Sequence, residues 1–424
     1  MFIHRTLIAL LCALAPFCFT SLSARAAPLS LDAAIEKALV QSPRLLASKS
    51  AAEAAKGERR QASAWRNPEL SAEAENFGGS GPYRAFSSAD ITYSVSQTFE
   101  LGGKILAREK IAERGLDIAN LDYQAAALDL IRDVTTAYMT AAAADERLRL
   151  AAEREALAQR VSKAVARRVD AAAAPLMQKS RADVELANAA LAHDSARRDR
   201  LLARQKLALL LGEDERGFAT DSKAFYAATA PGMPDIEARL RDTPEYKRQE
   251  LARQQSMARY ELERANAVPD PSVYAGFRDF RDNGHAFVVG LSIPIPVLDA
   301  NRGNIEKARN EVSHAEYQGR DAELSLRGDL LQAEQQLENA ELRVKTLQNS
   351  ILPAARKAFA LAQEGYERGR FSHLEVLDAQ RSLSDAREQE ITALKDFHAA
   401  KAQIDRLAMT HLNRLHNGSE NHAQ

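Results

Sequence analysis

The sequence contains the same order of features twice, at a spacing of about 200 residues. Ser42-Pro43 and Thr243-Pro244 occupy matching positions, as do Asn67-Pro68 and Asp270-Pro271. At a spacing of 194, four residues of the first copy match four of the second: Arg108, Ile111, Tyr123 and Gln124 match Arg302, Ile305, Tyr317 and Gln318. At a spacing of 199, Val169-Asp170 matches Arg368-Gly369. A period this long exceeds a solenoid unit and indicates one domain duplicated within one polypeptide. The fold must therefore be one that two similar halves can build together.

Each half is predicted to contain a very long helix, a sharp turn and a second helix. The first long helix is predicted from Gly103 to Arg168, where no proline intervenes, and would be about 100 Å long at 1.5 Å per residue. The second is predicted from Arg302 to Arg368, with Pro353 expected to kink it or force a local adjustment. Its apolar residues alternate steps of three and four, as in a coiled-coil seam: Leu330, Ala333, Leu337, Ala340, Val344, Leu347, Ile351, Ala354, Ala358 and Leu361.

Each half is predicted to begin with a helix, which covers residues 30–66 in the first copy. Two short strands are predicted between this helix and the long helix. Their signature is an apolar residue at every second position. The alternating positions are Ile91, Tyr93, Val95, Gln97 and Phe99 in one copy and Phe287, Val289, Leu291 and Ile293 in the other. A strand of about ten residues suits a tilted transmembrane β-strand. On spacing alone, a small soluble β-domain at the end of a coiled coil remains an alternative.

These patterns predict a mainly α fold with a small β part, in which helical hairpins are combined with four strands per chain. We place a signal peptide at residues 1–26 and the first repeat at residues 27–212. A linker at residues 213–233 precedes the second repeat at residues 234–412. The polar residues 413–424 are expected to form a disordered tail.

The first residues resemble a secretory signal, with Arg5, an apolar run from Leu7 to Phe19 and an A-x-A site at Ala24–Ala26. The run is short for a membrane-spanning anchor, which is the alternative interpretation. Both cysteines lie in this segment, at Cys12 and Cys18. A mature chain without cysteine would have neither disulfides nor thiolate metal sites.

The charge balance gives no support for a nucleic-acid partner. The formal net charge is −1 from 57 basic and 58 acidic residues, and removal of Arg5 and Arg25 would leave 55 against 58, or −3. No apolar run after the signal segment is long enough for a membrane helix.

Patterns typical of enzymes are missing from the sequence. There is no glycine-rich phosphate loop between a strand and a helix, no H-E-x-x-H and no G-x-S-x-G. A row of aspartates is interpreted as a solvated or pore-facing side of a helix: Asp117, Asp122, Asp129 and Asp133. The tail histidines His411, His416 and His422 could hold a metal only loosely. We therefore expect no catalytic residues, no bound metal and no cofactor.

Glu375 and Asp378 form the most informative small group of residues. They are three positions apart at the start of a helix and therefore project from one face. Carboxylates near a helix N-terminus are favourable in themselves, each by about 0.3–1 kcal/mol. In a symmetric oligomer, however, the same residues would form two acidic rings, and such rings select cations in pores. Both interpretations remain open from spacing alone.

The second hairpin turn resembles that of TolC-type outer-membrane efflux factors. The resemblance is carried by Tyr366-Glu367-Arg368-Gly369-Arg370 followed by Leu374-Glu375-Val376-Leu377-Asp378-Ala379. It implies a homotrimer with a twelve-stranded barrel in the outer membrane of a Gram-negative bacterium and a helical tunnel in the periplasm. It also implies that Glu375 and Asp378 lie at the narrow periplasmic entrance. Nearby gate or tip candidates are Arg168, Asp170, Arg181, Arg368, Gly369 and Arg370.

The first hairpin turn departs from the family pattern. Asp170 occupies the position where glycine is common, and four alanines follow it. At a spacing of 199, Asp170, Leu176 and Lys179 would match Gly369, Glu375 and Asp378. The acidic pair is therefore expected at only one of the two tips, and the gate is expected where the copies differ.

Two junction segments resemble the CzcC branch of this family, Asn67–Leu70 and Gln97–Lys104. This resemblance implies a passive channel that contacts outer-membrane lipid, a periplasmic adaptor and an inner-membrane RND pump, and that exports zinc, cobalt, cadmium, copper or nickel. Two alternatives remain at this stage. One is a channel for drugs or organic compounds, and the other is a periplasmic coiled-coil adaptor or scaffold without a pore.

Overall fold

The computed structural model describes residues 29–84, 88–212, 220–228, 240–281 and 284–412. The predicted signal peptide, most of the predicted linker and the predicted tail lie outside these residues. Residues 282–283, between the last two strands, also lie outside them.

The helix predicted over residues 30–66 is two helices, so that prediction was wrong. Helix α1 covers Leu31–Gln41 and helix α2 covers Pro43–Ala62. Ser42 separates them as the N-cap of α2, accepting a hydrogen bond from the Leu45 amide. Proline at the first helical position has the right φ and needs no amide partner, so Ser42-Pro43 favours a new helix start.

The second copy begins with the same capping device. Helix α6 covers Pro244–Asn266, and Thr243 is its N-cap. The Thr243 hydroxyl accepts a hydrogen bond from the Tyr246 amide. The matched Ser-Pro and Thr-Pro dipeptides therefore mark equivalent helix starts in the two copies.

Within the described residues, four strands form one antiparallel sheet in the order β1-β2-β3-β4. The strands are β1 Glu69–Glu75, β2 Asp90–Thr98, β3 Ser272–Phe280 and β4 Gly284–Ser292. The two copies meet where β2 pairs with β3, and β1 and β4 form the outer edges. Each predicted pair of strands is thus half of a single sheet.

The sheet has one apolar and one largely polar face. Val95 is paired with Leu70 on one side and with Ala275 on the other, and Ala275 is paired with Val289. This apolar face is uncovered: Leu70 is 81% exposed and Phe287 is 93% exposed. The opposite face carries hydroxyl pairs such as Ser71–Ser94, whose oxygens are 2.8 Å apart. Apolar residues outside and polar residues inside are the pattern of a transmembrane barrel wall.

The first helical hairpin follows β2 directly. Helix α3 covers Lys104–Asp170, a length of 67 residues, and helix α4 covers Leu176–Leu211. The prediction of an uninterrupted first long helix is confirmed. A short helix, α5 at Ser222–Tyr226, lies within the predicted linker.

The second hairpin contains the local adjustment expected near Pro353. Helix α7 covers Arg302–Thr346, a π-turn covers Leu347–Ile351, and helix α8 covers Leu352–Glu367. Proline has no amide hydrogen and its ring crowds the preceding turn, and a π-turn accommodates both effects without a break. Helix α9, His373–Leu407, then returns alongside α7 and α8.

The π-turn moves the buried seam by one residue, which the sequence prediction missed. The seam is correct from Leu330 to Leu347, where these residues are buried. From the last residue of the turn onward, the predicted Ile351 and Leu361 are exposed, whereas Leu352 and Ala362 are buried. The extra residue in the π-turn rotates the following positions by about one residue step of 100°.

The main core lies around the middle of the hairpins, where α1, α3, α4, α7 and α9 meet. Its largest fully buried side chains include Tyr138, Phe225 and Phe397. Among the residues that the structure describes, no helix is both long and apolar enough to cross a membrane.

Candidate functional site at the hairpin tips

The second tip, between α8 and α9, is a tight turn built on two glycines. Gly369 has a φ of 70°, in the left-handed region that glycine enters without a steric cost. The amides of Arg370 and Phe371 both donate to the Gly365 carbonyl, at 2.8 and 3.2 Å. The Phe371 ring folds over Gly365, where a Cβ would lie 2.2 Å from a ring carbon. Gly365 therefore leaves room for the Phe371 ring, while Gly369 supplies the positive φ of the turn.

Helix α9 begins with a reciprocal cap. The Ser372 hydroxyl accepts from the Glu375 amide at 3.4 Å, and the Glu375 carboxylate accepts from the Ser372 amide at 2.6 Å. Such a capping box satisfies two amides that a helix start would otherwise leave without a partner. Glu375 thus has a local structural role in addition to any role in a pore.

Asp378 is exposed one helical turn after Glu375. It lines an open groove of about 860 Å³ between α3, α4 and α9, together with Arg181 and Arg381. Across this groove, Arg381 and Glu185 form an ion pair at 3.6 Å. The structure therefore places Asp378 and Arg181, both candidates from the sequence, on the same groove.

The first tip uses a different left-handed residue from the one expected. Helix α3 includes Asp170, and Ala172 has the left-handed φ of 52°. The Ala173 amide closes the turn by donating to the Arg168 carbonyl at 2.7 Å. Pro175 then precedes α4 without a side-chain cap. The first tip is thus a tight turn, formed without glycine.

These turn positions correct the correspondence between the copies. Matching Ala172 to Gly369 and Pro175 to Ser372 gives a spacing of 197 instead of 199. Gln178 then corresponds to Glu375, and Arg181 to Asp378; the earlier match to Leu176 and Lys179 was wrong. One tip therefore has a cation where the other has an anion.

The remaining candidates differ in the contacts that their side chains make. The Arg168 guanidinium donates to the Tyr366 hydroxyl at 2.8 Å, which joins the two tips. Arg368 forms an ion pair with Glu364 on its own helix. The side chains of Arg370 and Asp170 are exposed. Sequence spacing could not show the Arg168–Tyr366 contact, because the two residues lie in different repeats.

A ladder of ion pairs joins α3 to α9 above the tips, and the sequence analysis missed it. Its pairs are Arg147–Glu388 at 2.6 Å, Arg387–Glu153 at 3.0 Å and Arg154–Asp385 at 3.1 Å. Regular charged positions on both helices were the available signal, but the register between the helices depends on the tertiary structure. This ladder fixes α9 against the first hairpin.

The aspartates of the row on α3 each have an arginine partner, and Asp117, Asp122 and Asp133 keep 34–50% of their side chains exposed, as expected for a solvated side of the helix. Asp117 pairs with Arg114, Asp122 with Arg248, and Asp133 with Arg132. Asp129 lies 3.0 Å from the largely buried Arg406. These aspartates therefore join α3 to neighbouring helices or to residues of its own surface.

A polar cluster near the core holds the start of α5. Asp145 accepts from Arg200, Arg204 and Thr220, at 2.5, 3.0 and 2.6 Å. Burial opposes its ionisation, but these hydrogen bonds outweigh that effect and lower the pKa of Asp145. Burial and the adjacent Glu146 raise the pKa of Tyr226 to about 12. In the described part of the chain, no group of three or more histidine, cysteine, aspartate or glutamate residues could hold a metal ion.

The chain matches the family of outer membrane efflux proteins over residues 34–213 and 236–408, which covers both copies. It is 32% identical to the cobalt-zinc-cadmium resistance protein CzcC of Cupriavidus metallidurans over 386 residues, covering 90% of each chain. It is 30% identical to the nickel and cobalt resistance protein CnrC of the same organism, covering 66% of this chain and 67% of that protein. A further relative is the pyoverdine export outer membrane protein OpmQ of Pseudomonas putida, at 26% identity, covering 74% of this chain and 69% of OpmQ.

Solved structures show the same fold. The CusC channel superposes with a TM-score of 0.77 at 17% identity, covering 90% of this chain and 92% of CusC. The outer membrane protein VceC of Vibrio cholerae gives a TM-score of 0.75 at 19% identity, covering 89% and 96%. The four-stranded sheet with its long helical hairpins is thus the fold of these outer-membrane channels, and the family match over both copies contradicts the alternative of a poreless adaptor. The chain belongs to the outer membrane efflux protein family, with its strands in the outer membrane and its helical tunnel in the periplasm.

Proposed function

We propose that this chain is the outer-membrane exit channel of a tripartite RND-type pump that exports heavy-metal cations. The observation that carries the metal specificity is its similarity to CzcC, which extends over 90% of both chains. CnrC, also named for metal resistance, supports the same substrate class. The substrates would be cations of the zinc, cobalt, cadmium, copper and nickel class.

The sheet supports assembly as a homotrimer. Among the residues that the structure describes, nothing pairs with the outer edges of β1 and β4. In the hydrocarbon layer such edges must be paired, because no water is present to satisfy their amides and carbonyls. Three copies of four strands would close a twelve-stranded barrel, with the exposed apolar face towards lipid.

The tips support an acidic periplasmic entrance and a docking site for the adaptor. In a trimer, Glu375 and Asp378 would form two rings of carboxylates near the axis, which favour cations. Arg168 and Tyr366 would hold the two tips of one chain together. The exposed Phe371 and Leu374 provide apolar contact area for a periplasmic adaptor, which would connect the channel to the inner-membrane pump.

Ion selectivity of trimers in planar bilayers tests the gate. Glu375→Gln removes the charge but keeps a side chain that can complete the capping box, and Asp378→Asn removes the second charge. We expect the double variant to lose most of the preference for potassium over chloride. Glu367→Gln, at an exposed acid just before the turn, is the matched control and should change selectivity little. Unchanged selectivity in the double variant would exclude the acidic gate.

Metal resistance tests the substrate class. In a host that lacks its own channel but retains the cognate adaptor and pump, this chain should restore growth in zinc, cobalt or cadmium. A chain carrying Gly365→Leu, which should disrupt the second tip, is the negative control. Restored siderophore export without restored metal resistance would instead support the organic-compound alternative, which the similarity to OpmQ favours.

A further inference from the structure

We propose that Trp65 anchors the contact between neighbouring subunits at the junction of barrel and tunnel, by packing against the apolar loop 293–301 of the partner subunit. The inference rests on the proposed trimer and adds a specific contact to it. Within one chain, β2 of the first copy pairs with β3 of the second. In the proposed trimer, β4 of one subunit would pair with β1 of the next. Because the two copies are similar, the first junction serves as a guide to the second.

The junction within the chain is formed by the segment between β2 and α3 and the segment just before β3. The Phe99 amide donates to the Pro271 carbonyl at 2.9 Å, and the Leu101 amide donates to Asp270 at 2.9 Å. Gly102 lies against Val268, so closely that a Cβ at Gly102 would be 3.0 Å from the Val268 Cβ. The β2–α3 connection is therefore fixed by the residues that precede β3.

A buried lysine completes this junction. Lys104, the first residue of α3, donates to the Val268 carbonyl at 2.7 Å and pairs with Asp270 at 2.6 Å. Its side chain is only 8% exposed. Lysine is rarely buried to this extent unless it is paired. The cation at this junction therefore needs a backbone carbonyl and a carboxylate as partners.

The strand and helix boundaries define the equivalent residues. Strand β1 begins at Glu69 and β3 at Ser272, a spacing of 203 that matches Trp65 to Val268 and Asn67 to Asp270. Helix α3 begins at Lys104 and α7 at Arg302, a spacing of 198, so the earlier match of Arg302 to Arg108 is corrected to Lys104. Both helices follow a left-handed residue, Gly103 and Asn301, which supports the match.

At the boundary proposed between subunits, the side before β1 has an exposed aromatic ring and the side after β4 has exposed apolar residues. Trp65 is 66% exposed, and Arg302 forms no ion pair within the part of the chain that the structure describes. The loop after β4 contains four apolar residues that are between 51% and 100% exposed: Ile293, Ile295, Val297 and Leu298. Exposed apolar residues grouped in this way indicate an interaction surface.

The two junctions differ in the length of the connection between strand and helix, and the longer connection leaves room for a larger side chain than valine. Residues 293–301 separate β4 from α7, whereas residues 99–103 separate β2 from α3, so the second connection is four residues longer. Trp65 is correspondingly larger than Val268. We therefore expect Trp65 to pack against the longer loop of the partner subunit, and Arg302 to donate to the carbonyl of Trp65, as Lys104 does to Val268.

Cysteine cross-linking tests the contact. With Cys12 and Cys18 replaced by serine, Trp65→Cys is combined in turn with Val297→Cys and Leu298→Cys. Oxidation should produce covalent dimers and trimers in denaturing gels from at least one pair, and reduction should remove them. Trp65→Cys combined with Leu331→Cys is the matched control, since Leu331 is 67% exposed but about 40 Å farther along α7.

Trp65 fluorescence provides a second measurement, because the chain contains one tryptophan. In the trimer its emission should shift to shorter wavelength, and acrylamide should quench it severalfold less than in dissociated chains. Trimers that form normally but show neither cross-links nor protection of Trp65 would overturn this contact and leave the trimer intact. Failure of the wild-type chain to form trimers would overturn both.

Discussion

The two hairpin tips have the same backbone plan but differ in what stabilises them. The second tip combines Gly365, Gly369 and a capping box at Ser372, whereas the first places Ala172 in the left-handed region and has no side-chain cap. Alanine is disfavoured there by about 1 kcal/mol or more. The second tip is therefore the more strongly specified turn, and it is also the one that carries the acidic pair.

The largest expected effect comes from filling the space at Gly365. Gly365→Ala would place a Cβ within 2.2 Å of the Phe371 ring and should destabilise the second tip by about 1–3 kcal/mol. Gly328→Ala is the control, since no atom lies within 4 Å of the added Cβ. Alanine there should stabilise the helix by roughly 0.5–1 kcal/mol. Hydrogen exchange of the tip amides should become faster in Gly365→Ala and stay unchanged in Gly328→Ala, and equal protection of the tip in the two variants would contradict the close packing.

Removing the cap at Ser372 should have a smaller effect. Ser372→Ala loses the hydroxyl that accepts from the Glu375 amide, at a cost of about 1 kcal/mol. Faster exchange should be confined to the first turn of α9. Ser180→Ala, at an exposed serine within α4, should leave exchange unchanged. Equal behaviour of the two variants would show that the cap does not stabilise this tip.

The smallest expected effect would bring the first tip closer to the second. Ala172→Gly should stabilise the first turn by up to about 1 kcal/mol, because glycine adopts a positive φ without the steric cost of a Cβ. Gly369→Ala should have the opposite sign at the second tip. Exchange rates measured at both tips in both variants check this symmetry. In Ala172→Gly, amide exchange at the first tip should become slower. Faster exchange there would exclude the positive φ of Ala172 as a source of instability.

The sequence predicted the repeat, the long helices, the alternating strands and the family, because these depend on local periodicity and on short motifs. Residue spacing also placed Glu375 and Asp378 on one helix face. The sequence did not reveal the break at Ser42 within a long alanine-rich stretch, although the Ser-Pro signal was present. Local capping preferences there are stronger than the helix propensity of the flanking residues.

Only the tertiary structure decided the register between elements. The π-turn at Leu347–Ile351 changed which residues of α8 are buried, and the turn at Ala172 showed that Arg181 corresponds to Asp378. Contacts such as Arg168–Tyr366 join residues that are 198 positions apart. Periodicity specifies which face of a helix is buried, but one inserted residue rotates that face by about 100°. The sequence by itself therefore determined the kinds of element and their order, and packing determined which side chains meet.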